Sequence, residues 1–333
     1  MPQDNLYQDK TILITGGAGS IGSELARTIV TKSPKVIRIY DNNEAGLFEL
    51  EQELKSDKLR FLLGDIRDRR RLKRAMEEVD IVFHAAALKH VPLCEYNPFD
   101  AVQTNVVGTQ NVIEAVLDAN VGKMINISTD KAVNPISVMG ATKLLAERLV
   151  GAANYYKGKR ESIFSSVRFG NVLNSRGSIV PLFCQQIKKG GPVTVTNPDM
   201  MRFVMTIPKA VDLVLKSVEI TKGGEIFILK MPFLRIGDLV DVMVAELAPK
   251  YGYSSQKIEI KEIGERFGEK ICEELITENE TSNAYETEEM FIINLNMKNV
   301  SKKDKPSLMG NFLSNNHILN RAEILNLLRE ISL

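Results

Sequence analysis

With 333 residues, 43 basic and 42 acidic, the chain is long enough for one large α/β unit and a smaller one, and carries a net charge of only +1. That balance excludes bulk electrostatic binding to nucleic acid or to a membrane surface, though not a local phosphate pocket. Three widely spaced cysteines (Cys94, Cys184, Cys272) and three histidines make neither a disulfide framework nor a metal-ligand cluster, so no metal is expected.

The first ten residues, MPQDNLYQDK, are polar and lack the apolar core of a signal peptide. No run approaches the ~18 apolar residues of a membrane span, and a cytoplasmic protein is expected. Short β-branched runs then recur as predicted strands: Thr11–Thr15, Val36–Tyr40, Arg60–Gly64, Ile81–Ala85, Met124–Ser128 and Ser165–Phe169. Helical spacing lies between them, as at Ser23–Val30 and Thr109–Leu117. This alternation predicts a Rossmann-type, doubly wound parallel α/β sheet. Beyond Phe169 the pattern loosens into Gly- and Pro-punctuated stretches, then resumes helical spacing at Ala210–Val218 and Ile236–Ala248. The polar stretch Thr277–Pro306 reads as a surface excursion. A last helix is expected where Asn320 and Glu323 can form a capping box ahead of Ile324, Leu327, Leu328 and Ile331. The expected division is a dinucleotide-binding domain over residues 1–170, joined by about 207–232. A smaller mixed α/β substrate domain takes 171–206 and 233–333.

The stretch TILITGGAGSIGSEL sets Gly16, Gly19 and Gly22 between the first strand and the first helix. There the glycines allow a tight turn, backbone approach to a pyrophosphate, and close helix–strand packing. Ser20 and Ile21 bring the helix's free N–H groups to the phosphates. Asp41 ends the second strand, about 20 residues on, where an acid bonds the adenosine ribose and repels a 2′-phosphate; this favours NAD over NADP. Asp65 ends the third strand and is a candidate for the adenine, with Ile66, Ala85 and Ala87 lining the same groove.

The most informative segment is STDKAVNPISVMGATK, Ser128 to Lys143. With HAAALKHVP and TNVVGTQN ahead of it, the chain resembles an extended short-chain dehydrogenase/reductase. More narrowly it resembles the UDP-N-acetylglucosamine 4,6-dehydratases, in a branch with Met139 at the position of the catalytic Tyr. That branch includes membrane-anchored polysaccharide enzymes, and the chain resembles their catalytic domain. The resemblance implies oxidation at C4 of the sugar, loss of water across C5 and C6, and hydride return to C6. It gives Asp130 as the acid for the C6 hydroxyl, Lys131 as the base at C5, and Lys143 as ligand of the nicotinamide ribose. Such roles call for an Asp130 pKa displaced upward and a Lys131 pKa displaced downward, which burial can supply. A thioether neither takes nor gives the required proton, so Met139 is not the C4 base; Thr129, assisted by Lys143, is the favoured acceptor.

For the UDP-sugar, Lys89, Asn171 and Arg176 are candidate contacts. Arg202 and Arg266 are candidate diphosphate ligands, with Glu269 holding the ribose or Arg266. His84 reads as packed, His90 as a weak substrate candidate, and Cys94 as a small buried residue. Met201, Phe267 and Asn174 depart from the family's pattern and leave the hexose open. A C5-inverting dehydratase, a C4 epimerase and a non-catalytic binder of NAD and sugar nucleotide are the alternatives. Relatives pair through the helices after TNVVG and around Met139–Leu149, which implies at least a homodimer.

Overall fold

The computed structural model describes residues 5–295 and 317–333. Its strands are β1 Thr11–Thr15, β2 Val36–Asp41, β3 Leu59–Leu63, β4 Ile81–His84, β5 Lys123–Thr129, β6 Ile163–Phe169 and β7 Asn171–Val172. They continue with β8 Val193–Val195, β9 Met201–Met205, β10 Glu225–Leu229, β11 Phe233–Arg235, β12 Ile260–Glu262, β13 Ala284–Glu286 and β14 Met290–Asn294. The helices are α1 Ser20–Val30, α2 Glu44–Leu54, α3 Arg69–Met76, α4 Val91–Tyr96, α5 Pro98–Ala101 and α6 Thr109–Asp118. After them come α7 Val138–Tyr156, α8 Ile179–Lys188, α9 Ile207–Ile220, α10 Ile236–Leu247, α11 Glu278–Thr281 and α12 Arg321–Glu330. All six strands expected in the first half form, within two residues of their expected ends.

β1 is buried at all five positions, as a central parallel strand covered on both faces must be. The main sheet runs β13-β14-β10-β6-β5-β4-β1-β2-β3. From β3 to β10 every pairing is parallel, and β14 and β13 add an antiparallel edge. The strand order reverses at β1, between β2 and β4, which opens a crevice at the carboxyl ends of these strands. Side-chain caps start several helices: Asn43 for α2, Asp68 for α3 and Ser137 for α7. Between α5 and α6 the chain makes a π-helical turn, Val102–Gly108, a conformation frequent near functional sites.

A second apolar cluster joins Val180 and Phe183 of α8, Val240 and Met243 of α10, and Ile324 and Leu328 of α12. Around it lie the sheet β11-β9-β7 and the pair β12-β8. The expected capping box of Asn320 and Glu323 is present.

One expectation is corrected. The stretch after Thr277 is not a surface excursion, because α11, β13 and β14 lie within it and Ile292 and Ile293 are buried. Glu280 of α11 and Glu147 of α7 both bind the fully buried Arg168 of β6, at 2.7–3.1 Å, so this segment is anchored by charge as well as by pairing. The rest of that expectation, residues 296–306, lies outside the described residues.

Candidate active site

A cleft of about 890 Å³ runs across the carboxyl ends of the central strands. Its floor at one end is the glycine turn. Gly16 has φ +67°, and a Cβ there would overlap the Ala86 backbone; one at Gly22 would overlap the Gly16 carbonyl. Nothing but that carbonyl lies near a Cβ built on Gly19. No side chain caps α1, so its first N–H groups open on the cleft. Asp41 braces the turn from β2: its carboxylate accepts from Ala18 N at 3.0 Å and from Asn43 N at 2.9 Å. Ser20, Ile21, Ile66, Ala85 and Ala87 line the same groove, and the set can hold a dinucleotide's diphosphate.

Asp65, expected at the adenine, lines the same cleft and is engaged by Arg67, whose Nη2 lies at 2.6 Å and whose Nε lies at 3.0 Å. The guanidinium holds the Asp65 carboxyl below its ordinary value. Arg67 also faces Asp100 at 3.7 Å, so the arginine that the fold brings to this groove is neutralised by two acids.

The catalytic segment closes the middle of the cleft. β5 and β6 end in register, Thr129 opposite Phe169, which sets the turn after β5 beside Asn171. Asp130 is wholly buried. Thr129 Oγ1 donates to Asp130 Oδ1 at 2.8 Å. Lys131 Nζ lies 3.1 Å from the same oxygen, 3.1 Å from Glu273 Oε1 and 3.4 Å from Asn171 Oδ1. Lys131 corrects the expected pKa pattern. Burial lowers its ammonium, but the carboxylates of Asp130 and Glu273 outweigh it and the net displacement is upward. Glu273 was not singled out in the sequence; it sits in ICEEL, without periodic signal, and only the tertiary fold brings it to Lys131.

Gly140 explains the Gly-x-x-Lys spacing. A Cβ there would overlap the Lys131 carbonyl, so only glycine lets α7 start against the Asp130–Ala132 turn. Met139 is buried with Val91, Cys94 and Ala101, and Lys143 follows one helical turn later. Lys143 Nζ donates to Ile127 O at 2.5 Å, and burial lowers its pKa to about 8, against a raising effect of Glu147. His84 is packed as expected: it bonds Thr15 and Thr109 through its two ring nitrogens, and burial, with the Lys143 charge, lowers its pKa to about 3. Thr109 already donates to Asn105 O, which makes His84 Nε2 the protonated nitrogen.

The substrate candidates divide. Lys89 and Asn171 line the cleft, Lys89 donating to Arg176 O at 2.7 Å. Arg176 points to the glycine turn rather than away from it: its backbone N–H donates to Ser20 Oγ and Nη1 donates to Ala18 O, both at 3.0 Å. Arg202 lines the wall but bonds inward, from Nη1 to the carbonyls of Met201 and Ile271. Arg266 and Glu269 face each other at 3.8 Å outside the cleft lining.

Glycine turn, switch point and parallel strand order together define a Rossmann-type α/β scaffold. A family described as polysaccharide biosynthesis protein matches residues 12–295. The chain is 62% identical over 98% of its length, and of the relative's, to an "uncharacterized membrane protein" of Methanocaldococcus jannaschii. It is 39% identical to a UDP-N-acetylglucosamine 4,6-dehydratase (inverting) of Campylobacter jejuni, covering 91% of this chain and 88% of the relative. A UDP-glucose 4-epimerase of Rickettsia felis is 41% identical over 84% of this chain and 81% of its own. The solved structure of Pen from Bacillus thuringiensis superposes with TM-score 0.91 at 44% identity, covering 98% of this chain and 99% of that one. The chain therefore belongs to the polysaccharide-biosynthesis family of extended short-chain dehydrogenases/reductases that includes the UDP-N-acetylglucosamine 4,6-dehydratases. Among the described residues no helix is long and apolar enough to cross a membrane.

Proposed function

We propose that the protein is an NAD-dependent 4,6-dehydratase acting on UDP-N-acetylglucosamine. The observation that carries this reading is the Thr129–Asp130–Lys131 contact chain around the buried Asp130, an acid and an amine beside one hydroxyl. Bound NAD supplies the hydride acceptor at C4 and the hydride donor at C6. The protons belong to the protein. As C4 is oxidised, its hydroxyl proton goes to Thr129 Oγ1 while the Thr129 proton moves 2.8 Å to Asp130 Oδ1. Asp130 then holds the proton that lets the C6 hydroxyl leave as water. Lys131 takes the C5 proton, acidified by the adjacent ketone, and returns it after the methyl group forms. Lys143 supplies positive charge near the C4 oxygen. The same proton thus serves both steps, and Met139 need not move one.

The proposal includes the division of labour between the domain of the main sheet and the smaller one, with NAD on the first and the UDP-sugar between them. Lys89, Asn171 and Arg202 line the substrate end. The cofactor is NAD rather than NADP, because Asp41 stands at the ribose end and Arg67 there is held by acids. A 4-epimerase is the second reading, favoured by relatives of that name, but it gives Asp130 and Lys131 no task at C5 and C6.

Proton NMR of the purified protein with UDP-N-acetylglucosamine and NAD in deuterated water tests this. A new 6-methyl signal with loss of one water by mass is the expected result, and the C5 coupling reports retention or inversion. Conversion to the C4 epimer without a methyl signal would establish the epimerase. No change in UDP-N-acetylglucosamine, UDP-N-acetylgalactosamine or UDP-glucose would leave a binding protein.

A further inference from the structure

Lys131 Nζ carries three protons and faces three acceptors, Asp130 Oδ1, Glu273 Oε1 and Asn171 Oδ1. So satisfied, the ammonium has no lone pair with which to take a proton from carbon. Asp130 alone would suffice to hold it. The second carboxylate is therefore an expense the fold did not need for anchoring: the Glu273 side chain is 2% exposed, and its Oε2, like Asp130 Oδ2, has no protein partner among the described residues. A buried carboxylate oxygen without a donor leaves an acceptor position open beside the ammonium. Its nearest ionic partner is the one group in the site that must lose a proton before it can act.

We propose that Glu273 is the internal proton acceptor that converts Lys131 from ammonium to the free amine that attacks the C5 proton. The inference rests on the dehydratase reading and extends it to a positioning residue that acts through Lys131. In the step, a Lys131 N–H bond breaks and an O–H bond forms on Glu273, across 3.1 Å, with no change in the charge of the trio. The C5–H bond then breaks, its proton makes a new N–H on Lys131, and the electron pair is left conjugated with the C4 ketone. After Lys131 reprotonates C5, Glu273 returns its proton. The order of events favours the transfer. Once Asp130 has been loaded through Thr129, Glu273 is the one carboxylate still facing the ammonium, beside the neutral Asn171 amide oxygen, and the transfer replaces an ion pair with a neutral one. The other charged group facing Lys131 is Arg202 of β9, whose cation opposes a second one nearby. Next to Glu273 lie the Cys272 thiol, Lys270 and Glu274; the last two face each other at 3.6 Å, and Glu274 accepts from Asn134.

Glu273→Gln keeps the size and an acceptor oxygen but cannot take the proton. Two measurements on the full chain decide the matter. In protein labelled with 15N-lysine, the Lys131 signal is identified by its loss in Lys131→Arg. Its midpoint is expected to fall by about one pH unit or more in Glu273→Gln, since one carboxylate favouring the ammonium is gone. In single turnovers near neutral pH, C4 oxidation is expected to stay within about threefold of wild type. Methyl formation and C5 deuterium exchange should fall about 100-fold, the scale of a lost acid–base group. That loss should narrow as pH rises and Lys131 gives its proton to solvent instead. Oxidation and elimination falling together at every pH would reveal a structural role and overturn the proposal. So would unchanged elimination, or an unmoved Lys131 midpoint in an active dehydratase. A wild-type protein that forms no methyl product from any UDP-sugar sinks the dehydratase reading, and the inference with it.

Discussion

Met139, expected from the resemblance to hold the place of a phenol, is buried and packed with Val91, Cys94 and Ala101. On the proposed mechanism the proton work falls on Thr129. Thr129→Val keeps the volume and removes the hydroxyl; kcat for methyl formation is expected to drop about 10²–10⁴-fold with NAD affinity held, as read by NAD titration beside the NMR assay. Lys143 adds a pH signature. With its pKa lowered to about 8, it is charged below that pH and supplies its field there; activity is expected to decline as pH rises through about 8. Lys143→Met should be slow throughout and lack that limb in a pH–rate profile. The stability sign is opposite: the unfolded chain binds more protons between about 8 and the ordinary lysine value, so the penalty for burying Lys143, complete below about 8, is relieved on going up through that window. At this scale much of the site was legible, because Asp130, Lys131, Lys143 and the glycines stand in short local motifs. Glu273 was not. A loop residue that reaches its partner only through the tertiary fold leaves no periodic trace.

Elements carry the precision that those side chains need. α7 begins where Ser137 caps it and Glu95 accepts from Val138 N at 2.6 Å, and Gly140 lets it close on the turn bearing Asp130 and Lys131. Gly140→Ala has room only if that turn shifts. A displacement on the order of 1 Å costs about 100-fold in rate, so kcat should fall by that scale while the cofactor groove, built on β1 and α1, still binds NAD. Retained kcat in Gly140→Ala would show that the turn is not placed by this contact. The parallel strands were readable because β-branched runs buried on both faces leave a continuous apolar signature. β14, MFIIN, is not legible in the sequence because the acid-rich ETEE ahead of it masks a short apolar-rich run, and because its antiparallel addition to β10 follows no βαβ rhythm.

Among the described residues, several large apolar side chains on α4, α5 and α7 stand exposed. Tyr96, Phe99 and Leu93 of α4 and α5 are 87%, 84% and 62% exposed, and Leu145 on α7 is 48% exposed. Light scattering is expected to give at least twice the 37.2 kDa of one chain, and Tyr96→Asp with Phe99→Asp should return it to one. A wild-type mass of one chain would contradict this. At the other end of the cleft, the Arg176 segment crosses the glycine turn, tied by Ala18, Ser20 and Lys89. A redox partner restored to its starting state in every cycle has no reason to exchange with the bulk pool. With the dinucleotide on the glycine turn as proposed, a strap across its diphosphate would make departure slow at no cost to turnover. The protein should then leave a sizing column with dinucleotide still aboard, and Arg176→Ala should shorten that residence time about tenfold in a competition chase. On the proposed reading the cell's nicotinamide balance would pass it by: one molecule, acquired once, would serve for the working life of each chain.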